Sequence, residues 1–171
     1  MVSMGPNSYS RLYSHMSDFQ DIRSDTRSTK VNENSILDIL NKTEEFSKFR
    51  ELLRHSQYES KMNDCNAQIT LIVPINEAFP DDFFYELDKY QASMYVVSNT
   101  IFGDRIIPSE LLELSPISKI STKFNSPNYM IVKNIDGITY INDCKVIIKD
   151  ILTKNGIIHV IDKLNLPQYY I

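Results

Sequence analysis

The sequence has no tryptophan, four glycines, two cysteines and three histidines, and each scarcity closes off a kind of chemistry. The glycines are scattered, so no glycine-rich loop is available to cradle a phosphate. His15, His55 and His159 stand at no metal-ligand spacing to one another, to cysteine or to a carboxylate, and neither HExxH nor GxSxG occurs. A triad of His159, Asp150 and a serine can be drawn. The placement of His159 between Ile157 and Ile161 favours instead a hydrogen-bonded core histidine. The expectation is no enzyme, no cofactor and no metal. Cys65 and Cys144 lie far apart without a CxxC pair, which leaves one disulfide or two free thiols, the second being the reading for a reducing compartment. No apolar run approaches the ~18–20 residues that span a bilayer. The first twenty residues lack an apolar h-region, so no secretory signal is visible and a cytosolic or virion-associated location is expected.

What is present is ordinary for a globular chain: 171 residues, 42% hydrophobic and 23% charged, with a net charge of -4. That balance argues against a nucleic-acid partner, which calls for clustered positive charge. Isoleucine, asparagine, lysine and serine are heavily used, a bias that suits an AT-rich coding sequence, as in some protists, some bacteria and many large DNA viruses. Residues 1–32 are rich in Ser, Asp, Arg, Asn and Thr, with Tyr9, Tyr13, Met16 and Phe19 at no sustained period. Such a stretch buries too little apolar area to offset its ordering entropy, so it reads as a flexible arm ahead of a domain over 33–171.

From Asn34 the pattern changes. Ser35 and Asp38 form a capping box ahead of a short helix with Ile36, Leu37, Ile39 and Leu40. Thr43 is expected to cap a second helix carrying Phe46, Phe49, Leu52 and Leu53 on one face. Ile69–Val73 reads as a strand ended by Pro74, with Asn76 capping the turn after it. Phe83, Phe84 and Leu87 suggest a short helix, Tyr90–Val97 another, and Ser109 the cap of a turn containing Leu111, Leu112 and Leu114. Adjacent carboxylates Asp81-Asp82 and Glu44-Glu45 read as solvated charge at helix starts.

Strands follow: Lys119–Thr122, Tyr129–Lys133, Ile138–Ile141, then two closing strands, Val146–Ile148 and Ile157–Ile161. Asp136-Gly137 is the strongest hairpin signal. Asn155-Gly156 is expected to supply positive-φ turn chemistry before the last strand, whose two apolar faces mark it as interior and which Pro167 should stop. Helices gather in the first half and strands in the second, an α+β signature.

The last segment, Asn155 to Pro167 (NGIIHVIDKLNLP), resembles the second signature box of the fasciclin-type (FAS1) domain, roughly NGxIHVIDxVLxP. Thr70 to Phe79 (TLIVPINEAF) is similar to the first box, TxFAPTNEAF. The boxes come in the family's order and at its separation, and the resemblance covers about Glu33 to Pro167. It implies a wedge of two antiparallel or mixed sheets flanked by short helices, in a family that is not catalytic, is usually extracellular and serves adhesion. Pro74, Asn76, Ala78, Phe79, Asn155, Gly156, His159 and Asp162 are then the residues of the structural motif. The Asp150-Ile151 pair resembles the integrin-contact motif of animal members. If the strand persists, Asp150 should point inward and accept N–H groups of the Thr153–Gly156 turn. A second adhesion motif, Tyr-His, aligns with Ser98-Asn99, where both signature residues are replaced.

Two functions follow as expectations. One is a non-enzymatic, adhesion-type module that binds another protein. The other is a structural component of a larger assembly such as a virus particle, in which the arm contacts neighbouring subunits.

Overall fold

The computed structural model describes residues 30–101, 106–121 and 129–166. The arm expected over 1–32 therefore falls almost wholly outside the described residues, as do Thr122, Gly103 and Pro167. The chain divides after Glu33 into two units, and the second holds everything below.

Its helices come first. Helix α1 (Ile36–Lys42) is capped by Ser35, which accepts from Asp38 N, while Asp38 Oδ2 takes the N–H of Asn34 at 2.7 Å. Thr43 does not cap the next helix: its hydroxyl donates back to Ile39 O at 2.7 Å, closing α1. A 3-10 turn (Glu44–Phe46) leads into α2 (Ser47–His55), followed by α3 (Glu59–Met62). Phe46, Phe49, Leu52 and Leu53 are all buried, as their spacing implied. Residues 81–86 form consecutive turns rather than the expected helix. Pro80 O takes the N–H of Phe83 and Asp82 O that of Tyr85, and Glu86 sits at φ 59°, outside helical space. Helix α4 (Lys89–Ser98) then opens on a capping box between Asp88 and Gln91. The short α5 (Ser109–Leu112) precedes the later strands.

Among the described residues, seven strands form one sheet in the order β2-β1-β7-β6-β5-β4-β3. They are β1 (Ile69–Pro74), β2 (Thr100–Ile101), β3 (Ile117–Ser121), β4 (Tyr129–Ile135), β5 (Ile138–Ile141), β6 (Cys144–Thr153) and β7 (Gly156–Ile161). The pairing of β1 with β7 is parallel and the rest antiparallel. β6 belongs to two halves: Cys144 and Lys145 pair with β5, and Val146–Thr153 pair only with β7. Ile72 and Ile161 from one half pack with Ile120, Met130, Val132 and Ile141 from the other, so the sheet folds over about β6 and closes on a shared core. Leu112 of α5 enters that core.

Two hairpin turns have the positive-φ pairs that a two-residue loop demands: Asp136 and Gly137 at 52° and 81°, and Asn142 and Asp143 at 50° and 69°. The first was expected. The second is an Asn-Asp pair between apolar runs, a turn beyond those expected. The Lys154-Asn155 turn is different, since neither Asn155 nor Gly156 has positive φ. Gly156 is needed for a close approach: a Cβ there would stand 2.0 Å from Ile69 O on the neighbouring strand. Both cysteines are free thiols, Cys65 exposed and Cys144 buried.

Candidate docking surface on strand β6

The residues singled out in the sequence meet in two places. The first is the start of β7. Asn155 is 1% exposed, and its Oδ1 accepts from Ile36 N at 2.9 Å, capping α1 from a distance. Its Nδ2 donates to Met62 O and Asp64 O, and its own carbonyl receives Ile69 N. One side chain thus ties α1, the end of α3 and the β1–β7 pairing together. Asn76 acts in the same manner. Rather than capping its own turn, it accepts from Lys48 N at 2.8 Å and donates to Glu44 O and Ser47 Oγ, pinning the start of α2. Pro74 pairs with Ile161 at the end of β1, Ala78 closes a 3-10 turn, and Phe79 is buried in edge contact with Phe83. Asp162 exchanges bonds with Lys145, extending the β6–β7 ladder by one pair.

The second place is β6 itself. Its register shifts between Val146 and Ile148 and again between Ile148 and Ile151, and Asp150 sits at φ 62°. The irregularity turns Asp150 outward. It is exposed, and its carboxylate bonds Ser109, both the backbone N–H at 2.8 Å and the hydroxyl, instead of the Thr153–Gly156 turn. Ser109 accordingly is no cap of its own; Asp150 supplies the acceptor for α5. Partial burial pushes the Asp150 pKa up, but the Ser109 bonds, His159 and Lys149 outweigh it and hold the carboxyl below 3.8. Next door, Lys149 pairs with Glu113.

Behind the bulge lies His159, 0% exposed. Its Nδ1 accepts Asp150 N at 3.2 Å, which fixes the proton on Nε2, and Nε2–H donates to Ile107 O at 2.8 Å. Burial lowers its pKa below 6.5, against the pull of the Ile107 carbonyl and Asp150, so the ring is neutral near pH 7. Burial likewise pushes the Cys144 thiol up to about 11, with Asp162 adding to it. Among the described residues no three His, Cys, Asp or Glu side chains gather as a metal site, and no helix is long and apolar enough to cross a membrane.

Ser98 is half-buried and Asn99 is buried, both bonded to backbone carbonyls. Asn99 is 2% exposed and its Nδ2 bonds Tyr95 O and Asn165 O, while the Ser98 hydroxyl donates to Met94 O. Beside Lys145, Lys149 and Asp150, β6 exposes aliphatic side chains. Past the end of β5 pairing, Ile147 is 42%, Ile148 48% and Leu152 75% exposed, whereas Ile151 is half-buried opposite Ile158. The sequence pattern gave no sign of this, because the bulge breaks the alternation from which a strand face is read.

Residues 44–167 match the family model described as the Fasciclin domain. Among solved structures the chain is similar to an insect one described as a FAS1 domain pair from the cell adhesion molecule fasciclin I. The TM-score is 0.64 at 19% identity, over 80% of this chain and 52% of that one. The chain thus spans about half the length of that relative, and the likeness is one of fold.

Proposed function

The chain belongs to the fasciclin domain family, and from that premise we propose that it is a non-enzymatic, adhesion-type module that binds another protein through strand β6. The observation that carries the reading is the open stretch of β6, where Ile147, Ile148 and Leu152 stand in solvent on a strand that β5 has left. Exposed aliphatic groups are costly to keep in water, and when they gather they mark contact surfaces. The described groups best suited to catalysis are otherwise engaged, His159 through both ring nitrogens and Asp150 through Ser109. The solved relative is described as a cell adhesion molecule, and adhesion is carried to this chain as part of the proposal.

In this reading the Asp150-Ile151 pair shapes the surface and the flanking aliphatics make the contact. Asp150 is committed to α5 and Ile151 to the ladder. The test is cell attachment to the immobilised full chain, compared with an Ile148→Asp/Leu152→Asp variant that melts normally. Attachment that falls sharply in the variant and survives Asp150→Asn supports the proposal. Equal attachment by both proteins removes β6 as the surface, and no attachment by the unmodified chain removes adhesion.

A further inference from the structure

The antiparallel half of the sheet has an outer face that nothing above accounts for. Its inner positions, Ile120, Met130, Val132, Ile141 and Cys144, are buried in the core. The alternate positions point the other way. Cross-strand pairing aligns Ile117, Lys133, Tyr140 and Lys145 in one row, with Lys119 beside Ile131 in the next. All of these are half-buried or exposed, Ile117 at 61%. Strands β3, β4 and β5 contain no acidic residue, so in a chain of net charge -4 the charges on these strands are all lysine, with Asp143 in the adjoining turn the nearby acid. Lys119 lies over the Tyr129 ring and Lys133 is 3.6 Å from Asp143 in the adjoining turn, an exposed and therefore weak pair.

A cleft of about 300 Å³ opens on the same face, lined by Ile131, Lys133, Asn142, Asp143, Leu164 and Leu166. Ile131, Leu164 and Leu166 give it an aliphatic wall, and Lys133, Asp143, Asn142 and Asn165 give it a polar one. Lys133 and Lys145 are separated by one strand, about 10 Å, which matches three residues of extended chain.

We infer that this outer face docks an acidic, aliphatic segment of another protein, with a leucine-like side chain in the Ile131–Leu164–Leu166 cleft and carboxylates on Lys133 and Lys145. Charge complementarity selects the acid and the cleft selects the aliphatic anchor, as in interfaces where a buried anchor sits inside a polar rim. Three lysines amid isoleucine and tyrosine make a poor phosphate track, because nucleic-acid affinity rises with the number of phosphates neutralised. The inference concerns a different surface from β6 and stands or falls apart from it.

The experiment is fluorescence anisotropy with the full chain and three probes: a short peptide with leucines between glutamates, polyglutamate, and a single-stranded oligonucleotide. The leucine–glutamate peptide should bind best, and Lys133→Glu/Lys145→Glu should weaken it by about tenfold or more with melting unchanged. Should that variant fold poorly, Lys133→Gln/Lys145→Gln should still weaken binding. Absence of peptide binding overturns the inference. So does polyglutamate or the oligonucleotide binding equally well, which would reduce the face to bare charge. Sedimentation showing the face closed by a second copy of the chain overturns it too.

Discussion

β1 and β7 are buried at every position, whereas β4 and β5 alternate between buried and half-exposed. The mixed half is sandwiched, with helices on one side and the shared core on the other. The antiparallel half has one face inward and one in solvent. The difference separates two kinds of residue that a family signature runs together. Asn155, Gly156 and His159 hold the mixed half closed, and their side chains or close contacts reach neighbouring strands and helices. The side chains of Lys133, Lys145, Ile148 and Leu152 are half-buried or exposed, and they are the groups proposed to meet a partner. Stability should therefore be sensitive in the first set and indifferent in the second.

The sharpest way to break that contrast is Gly156→Ala. Its Cβ would fall 2.0 Å from a backbone carbonyl, which no rotamer relieves. A loss of about 4 kcal/mol or more is expected, read as failure to fold or as a large fall in denaturant midpoint. A variant that melts normally would show that β1 can move away at little cost.

Asn155→Ala comes next. It strands Ile36 N, Met62 O and Asp64 O in a site 1% exposed, and about 3 kcal/mol should be lost in a urea titration. Helix α1 should show the earliest loss of amide protection, since its cap goes first.

His159 supplies a pH-dependent comparison. Its folded pKa lies below the ordinary 6.5, so its contribution to stability is complete above pH 6.5. As pH falls from there toward the lowered folded value, the unfolded chain takes up a proton and the folded chain does not, so stability drops. The same titration on His159→Gln should lack that drop. If both proteins lose stability in parallel over this window, His159 is not the group responsible.

Asp150→Asn should have the smallest effect, about 1 kcal/mol, because the site is exposed and asparagine tolerates its positive φ. Its pH signature lies lower. The carboxylate's contribution is complete above pH 3.8 and is lost as pH falls toward its depressed folded value. Thermal melting against pH separates the His159 and Asp150 windows.

Much of the mixed half was legible in the sequence. The two apolar faces of Ile157–Ile161 read correctly as an interior strand, and helical spacing placed Phe46, Phe49, Leu52 and Leu53 in the core. Asp136-Gly137 announced its hairpin. Among polar side chains, the local capping box of Ser35 and Asp38 was read correctly, while four other local assignments failed. Thr43, Asn76, Ser109 and Asp150 were each assigned to a neighbouring turn, yet Asn76 reaches α2 and Asp150 reaches α5. Local capping is the cheaper guess from sequence, but orphan N–H groups at a helix start can also be met by a side chain distant in sequence, as by Asn76 and Asp150 here. The outer-face lysines were visible as letters only. Their alignment in a single row depends on strand register, which two-residue turns fix and composition does not.

Native-state hydrogen exchange compares the two halves in one measurement. Amides of Ile157–Ile161 in β7, paired on both sides, should exchange only through global unfolding. Those of β3, at the end of the sheet, should exchange through smaller openings with a lower free energy. Equal protection in β3 and β7, with the same dependence on denaturant, would contradict the division between a half that holds the fold and a half that offers its surface.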